Sequence, residues 1–218
     1  MKYVKVPTVL VCMALLPVLA VAEIQKAEHN AVLTDPANDV REGTDPGKDV
    51  VKVLIDSDGT NLTITTVLAK EAKYYLKGHT AGDVIRLNLD TDNDTTTGGK
   101  PFLYDTPGFE YLIEVGACIE YEGGGVVCAG GMKGAKEVNY FSTYTLKKYT
   151  KGSSTERISE AFHWKDRGMD IKGKNVVVKL PYSLMNLKSG QKVRFAVEEK
   201  DDASFKKKYM PEVLLTLK

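Results

Sequence analysis

Asp83-Val84-Ile85-Arg86-Leu87-Asn88-Leu89-Asp90-Thr91-Asp92-Asn93-Asp94-Thr95-Thr96-Thr97-Gly98-Gly99 decides how the chain folds. Its first half alternates. Ile85, Leu87 and Leu89 point one way and Arg86, Asn88 and Asp90 the other, the period-two pattern of a strand with one buried face. Its second half stops the strand with carboxylates at every second position, Asp90, Asp92 and Asp94, and leaves through a Gly-Gly turn. Two unit charges about 4 Å apart repel by roughly 4 kcal/mol at an effective dielectric near 20. A hard cation removes that repulsion, and Ca²⁺ accepts about 6–8 oxygen ligands from flexible carboxylate and carbonyl loops. The competing reading is a solvated acidic turn, where Asp, Asn, Thr and Gly are all common.

The loop is not an EF-hand. With Asp90 as the first position, Thr95 stands where that motif needs glycine, and Pro101 where it needs a bidentate glutamate. The loop also leaves a strand and not a helix. What survives is a cluster of oxygen ligands at Asp90, Asp92 and Asp94. Glu110 is a further candidate: in Phe109 to Val115, Phe109, Tyr111, Ile113 and Val115 alternate inward, leaving Glu110, Leu112 and Glu114 outward. Glu110 then shares a polar side with the acidic loop if the two strands are neighbours.

Outward from this centre, short alternating segments recur. Val51, Val53 and Ile55 form one face of a strand over Asp49 to Ile55. Asp56-Ser57-Asp58-Gly59-Thr60 is a hairpin turn, and Leu62, Ile64, Thr66 and Leu68 form the face of the next strand. Ala27 to Val40, with Asp35-Pro36-Ala37-Asn38-Asp39, reads as a turn-rich entry. Val138 to Tyr149, Ile158 to Trp164, Asn175 to Leu180, Lys192 to Glu198 and Glu212 to Leu217 read as further strands. Pro181 opens a single helical turn to Met185. Many short strands joined by Gly, Asp and Pro turns predict an all-β protein, an antiparallel β-sandwich of jelly-roll or immunoglobulin-like two-sheet architecture.

Residues 1–22 read as a secretory signal peptide: Lys2 and Lys5 precede an apolar run, and Ala20-Val21-Ala22 offers a small-residue cleavage site. The run is too short for a membrane span. The expected mature chain, 23–218, suits one domain, secreted or periplasmic. Of the 30 basic residues, Lys2 and Lys5 leave with the signal, so 28 basic face 29 acidic and the mature net charge is about −1. That balance gives no electrostatic footprint for nucleic acid. Cys118 and Cys128 flank a glycine turn between two strand ends, in disulfide range for antiparallel neighbours. A zinc site would need more ligands nearby, and none of the three histidines is adjacent. No nucleophile elbow, zinc-protease helix or phosphate loop occurs, so no enzymatic activity is expected.

Asp35-Pro36-Ala37-Asn38-Asp39, Asp49-Val50-Val51-Lys52-Val53 and Asp58-Gly59-Thr60-Asn61-Leu62-Thr63-Ile64 precede the acidic loop in order. Gly108-Phe109-Glu110-Tyr111, Leu180-Pro181-Tyr182-Ser183-Leu184 and Val193-Arg194-Phe195-Ala196-Val197 follow it. Together they resemble the family 9 carbohydrate-binding-module-like domains, within the DOMON-like group of extracellular β-sandwiches. The resemblance implies a structural calcium ion at Asp90, Asp92, Asp94 and Glu110. It also implies a non-catalytic ligand-binding module, with carbohydrate as the leading ligand. A two-tryptophan clamp cannot form, because Trp164 is the single tryptophan. Tyr74, Tyr75 and Tyr104, in segments read as loops, and Trp164 are the candidate ligand-binding aromatics. The haem-binding DOMON members supply the alternative, an electron-transfer domain with His163 as the leading axial donor and His29, His79, Met132, Met169, Met185 and Met210 also available. An adhesion or assembly module that docks a protein partner is the third possibility.

Overall fold

The computed structural model describes residues 24–35, 49–70, 82–101, 104, 106–123, 126–127, 137–158, 169–199 and 210–218. The strands in chain order are β1 (Gln25–Glu28), β2 (Asn30–Thr34), β3 (Val50–Ser57), β4 (Asn61–Leu68), β5 (Gly82–Asp90), β6 (Tyr111–Tyr121) and β7 (Val126–Val127). They continue with β8 (Glu137–Lys151), β9 (Ser154–Arg157), β10 (Met169–Lys172), β11 (Asn175–Pro181), β12 (Lys192–Glu199) and β13 (Val213–Thr216). They form two sheets. The larger runs β1-β13-β12-β5-β6-β8-β9, with β7 also paired to β6, and the smaller runs β10-β11-β4-β3-β2. Every pairing is antiparallel except β1 with β13. The expected two-sheet β-sandwich is the observed architecture.

One core lies between the sheets. Ile85, Leu87 and Leu89 of β5, Ile113 and Val115 of β6, and Val193, Phe195 and Val197 of β12 meet Val53, Ile55, Leu62, Ile64, Val176 and Val178 from the smaller sheet. The alternation read from sequence places those of β3, β4, β5 and β6 inward. A buried aliphatic side chain of this size contributes about 1.5–3 kcal/mol relative to leaving it in water, so the register is firmly set.

The structure departs from the sequence reading at three places. The expected turn-rich entry holds β1 and β2, which cross from one sheet to the other through His29 at φ 63. A register shift between Val50 and Lys52 puts Val50, and not Val51, on the core face. Phe109 precedes the strand that begins at Tyr111. It joins a second apolar cluster with Tyr104, Leu112, Tyr149 and Ala196, separate from the inter-sheet core. The strand expected over Ile158 to Trp164 lies almost wholly outside the described residues, and β9 ends just before it.

The second cluster marks how the larger sheet differs from an ordinary sandwich layer. An antiparallel sheet normally keeps its outer face in water. Here Asn88, Leu112, Glu114, Ala196 and Glu198 on that face are all buried. Pairing sets Glu198, Arg86 and Glu114 in one row across β12, β5 and β6. Glu114 is held by Arg86 Nε at 3.2 Å and by Lys147 Nζ. Asn88 accepts the Tyr149 hydroxyl at 2.6 Å. Burial, and then the nearby Glu198 carboxylate, push that phenol well above its usual range. Carboxylates buried in this way persist only when paired.

Candidate metal centre

Strand pairing delivers the site. Leu89 stands opposite Tyr111, and the Glu110 N–H donates to the Leu89 carbonyl at 2.9 Å, so Glu110 arrives beside the loop that begins at Asp90. Asp90, Asp92 and Glu110 each place a carboxylate oxygen within 4.8 Å of the other two. Two oxygens on opposite sides of one Ca²⁺, each roughly 2.4 Å away, are themselves about 4.8 Å apart, so the spacing suits a single ion.

Glycines allow the loop to close this tightly. Gly98 has φ 57, and a Cβ there would fall 2.4 Å from the Phe109 carbonyl oxygen and 2.5 Å from Glu110 Oε1. Gly108, at φ 98, lies against the backbone of Thr95 and Asp94, where a Cβ would approach to 2.6 Å. The Gly99 N–H donates to the Phe109 carbonyl at 2.7 Å, and the Gly108 and Phe109 N–H groups return bonds to the Gly99 carbonyl at 3.0 Å. Only residues lacking a side chain let the two segments pack backbone to backbone.

The hydrogen bonds within the loop leave acceptors in excess. Asp90 Oδ1 accepts the Asn93 N–H at 2.6 Å, and Glu110 Oε2 accepts the Thr91 N–H at 2.7 Å. The Thr97 hydroxyl lies 3.1 and 3.0 Å from the two Asp92 carboxylate oxygens, 3.0 Å from Glu110 Oε1 and 3.1 Å from the Asp94 carbonyl. That hydroxyl has one proton to give. Four acceptors therefore converge on a single donor, an arrangement of oxygens that fits a cation better than it fits hydrogen bonding alone.

Electrostatics agree in direction. Burial pushes the Glu110 carboxyl up, against bonds from Thr91 and Thr97, and the Asp92 and Asp90 charges push it further the same way. Burial also raises Asp90, with the Arg194 guanidinium pulling back. Both carboxyls are in places that disfavour negative charge, and a bound cation reverses that preference.

Asp94 corrects the sequence-derived ligand set. Its Oδ1 accepts the Thr96 N–H at 2.8 Å and the Thr96 hydroxyl at 2.7 Å, bonds that hold its carboxyl below the usual range. It is a turn-forming carboxylate outside the triad. Its main-chain oxygen, not its side chain, faces the site.

Two contributors were missed by sequence reasoning. Thr97 is one of three consecutive threonines, and nothing in the sequence distinguishes it from its neighbours. Arg194 was legible in part, because strand parity puts it opposite Phe195 and hence on the polar side. It pairs with Asp90 through Nε at 3.0 Å and Nη2 at 2.8 Å, reaches Glu212 at 3.3 Å and the Pro107 carbonyl at 2.8 Å, and stacks 4.5 Å from the Phe109 ring centroid. One buried guanidinium thus binds the base of the acidic loop to Glu212, just before β13, and to the segment before Phe109.

Of the expected ligand-binding aromatics, Tyr104 is the one among the described residues. Tyr104 is 7 % exposed, and its hydroxyl donates toward the Val197 and Met210 carbonyls at 2.9 and 2.7 Å, so it offers no platform. Tyr74, Tyr75 and Trp164 lie outside the described residues, as do His163 and Cys128. Met185 and Met210 belong to the inter-sheet core. In comparison with known proteins, the chain matches no family model, no curated protein and no solved structure.

Proposed function

We propose that the mature chain is an exported, non-catalytic binding module built around a structural calcium ion, with carbohydrate as its ligand class. The observation that carries the metal is the convergence of four oxygen acceptors on the single proton of Thr97, beside two carboxyls that burial disfavours as anions. Asp90, Asp92 and Glu110 supply carboxylate oxygens, and Thr97 and the Asp94 carbonyl supply neutral ones. Such a site stabilises the fold by holding Asp90 to Gly99 against the segment before β6. The carbohydrate assignment rests on the resemblance to family 9 carbohydrate-binding-module-like domains and on the leader read at residues 1–22.

Calcium at about a hundred times its dissociation constant adds roughly 2.7 kcal/mol to stability. For a chain of this length that is about 5–10 °C in melting temperature. Melts with calcium and with excess chelator are expected to differ by this amount, and Asp92→Asn is expected to erase the difference. Asp92 is exposed, so its replacement leaves the apo fold intact. Identical melts with and without chelator refute the calcium reading.

A disulfide between Cys118 and Cys128 belongs to the same proposal. It rests on the glycine turn between the two cysteines and on the antiparallel pairing of Ile119 with Val127 and Glu120 with Val126 next to Cys118; Cys128 itself lies outside the described residues. Mass spectrometry of the exported protein is expected to show a gain of two hydrogens on reduction. Two alkylatable thiols before reduction rule the bond out.

A further inference from the structure

A groove of roughly 780 Å³ opens beside the acidic loop. Asp92 and Asn93 line one wall, and Asn186, Lys188, Gln191 and Lys192 line the other. One side chain joins the walls: Gln191 Nε2 donates to the Thr91 carbonyl, and its Oε1 accepts the Lys188 N–H at 2.8 Å. The Leu217 N–H donates to the Gln191 carbonyl at 2.9 Å, and the Gly190 N–H to the Leu217 carbonyl at 3.0 Å, so the second wall is fixed to the end of the last strand. A cleft shaped in advance loses little entropy when a ligand enters.

The groove's lining carries two lysines against a single carboxylate. Lys188 and Lys192, both exposed, make no ion pair among the described residues. Each ammonium offers three donors and no acceptor, whereas the Asn93 and Asn186 amides can both donate and accept. Such a lining asks for a ligand with a negative group toward the lysines and hydroxyls toward the asparagines. Asp92 is the one carboxylate in the lining, and the calcium ion proposed above neutralises it.

We infer that this groove binds an acidic sugar, a glycuronate, whose carboxylate sits between Lys188 and Lys192 and whose ring hydroxyls meet Asn93 and Asn186. The inference rests on the carbohydrate and calcium reading and specifies its ligand and place. Because the mature chain is close to neutral, with 28 basic and 29 acidic residues, general attraction of anions does not account for such binding. Calcium and the sugar then favour one another, and each tightens the other by the same factor.

The test is calorimetric titration of the calcium-loaded mature protein at physiological salt with trigalacturonate and with the uncharged cellotriose. The same titrations are run on the Lys188→Ala/Lys192→Ala variant. Both lysines are exposed, so the variant is expected to keep the wild-type melting temperature, which is measured alongside. The expected result is trigalacturonate binding at least tenfold tighter than cellotriose, falling at least tenfold in the variant. Equal binding of the two sugars, unchanged in the variant, overturns the groove assignment and leaves the carbohydrate reading standing. No binding of either sugar, with the calcium shift in melting intact, overturns the assignment and tells against carbohydrate as the ligand class.

Discussion

Arg194→Met is expected to destabilise the protein by about 3–5 kcal/mol, the cost of breaking a buried ion pair from one side. Methionine fills much of the same volume, so the loss reports on polar contacts more than on a cavity. The change leaves the Asp90 carboxylate, itself fully buried, without its two guanidinium bonds, and leaves the Pro107 carbonyl and Glu212 without theirs. It also removes the cation above the Phe109 ring. Adding Asp90→Asn to Arg194→Met removes the orphaned charge, so the double variant is expected to be less damaged than the two single losses summed. Denaturant titration of the four proteins checks this. Additivity within about 0.5 kcal/mol shows that the pair does not hold the loop.

Gly98→Ala is expected to cost about 3 kcal/mol or more and to reduce the calcium-induced rise in melting temperature. The left-handed backbone alone costs a non-glycine residue about 1 kcal/mol or somewhat more. The greater part comes from the new Cβ, which would lie 2.4 Å from the Phe109 carbonyl oxygen and 2.5 Å from Glu110 Oε1, forcing aside the carboxylate proposed as a calcium ligand. Gly152 provides the control, because it has nearly the same φ, 56 against 57, with nothing within 4 Å of the added atom. Gly152→Ala is therefore expected to show the backbone cost only. Similar melting losses for the two variants, with calcium binding undisturbed in both, refute the close approach of the loop to Phe109 and Glu110.

The fold was legible wherever one face of a strand is buried and the other is not. β3, β4, β5, β11, β12 and β13 were found to within about two residues at each end. Each carries the alternation that burial on one side imposes. Val51 was misplaced because a bulge adds a residue to the count, and a parity reading has no sign of where that happens. Phe109 was misplaced because an isolated bridge with Gly99, and not strand β6, holds it, so the parity of Tyr111 does not extend back to it. Tyr104 read as a loop aromatic and is buried under that same segment, over the outer face of the larger sheet. Sequence periodicity describes one strand against one core, and a second apolar cluster across the sheet lies outside its reach.

By itself the sequence determined the two-sheet class, the position of the acidic loop at the end of a strand, and three of the four carboxylates to examine, Asp90, Asp92 and Glu110. These depend on residue spacing along the chain, which period-two geometry converts directly into sides and ends. Tertiary structure alone decided that Asp94 turns away to bond Thr96, that Thr97 stands among the acceptors, and that Arg194 pins Asp90 from β12. The physical reason is separation: Arg194 lies 104 residues from Asp90 and Glu110 lies 19 from Thr91, and only the pairing of β12 and β6 with β5 brings them within bonding distance.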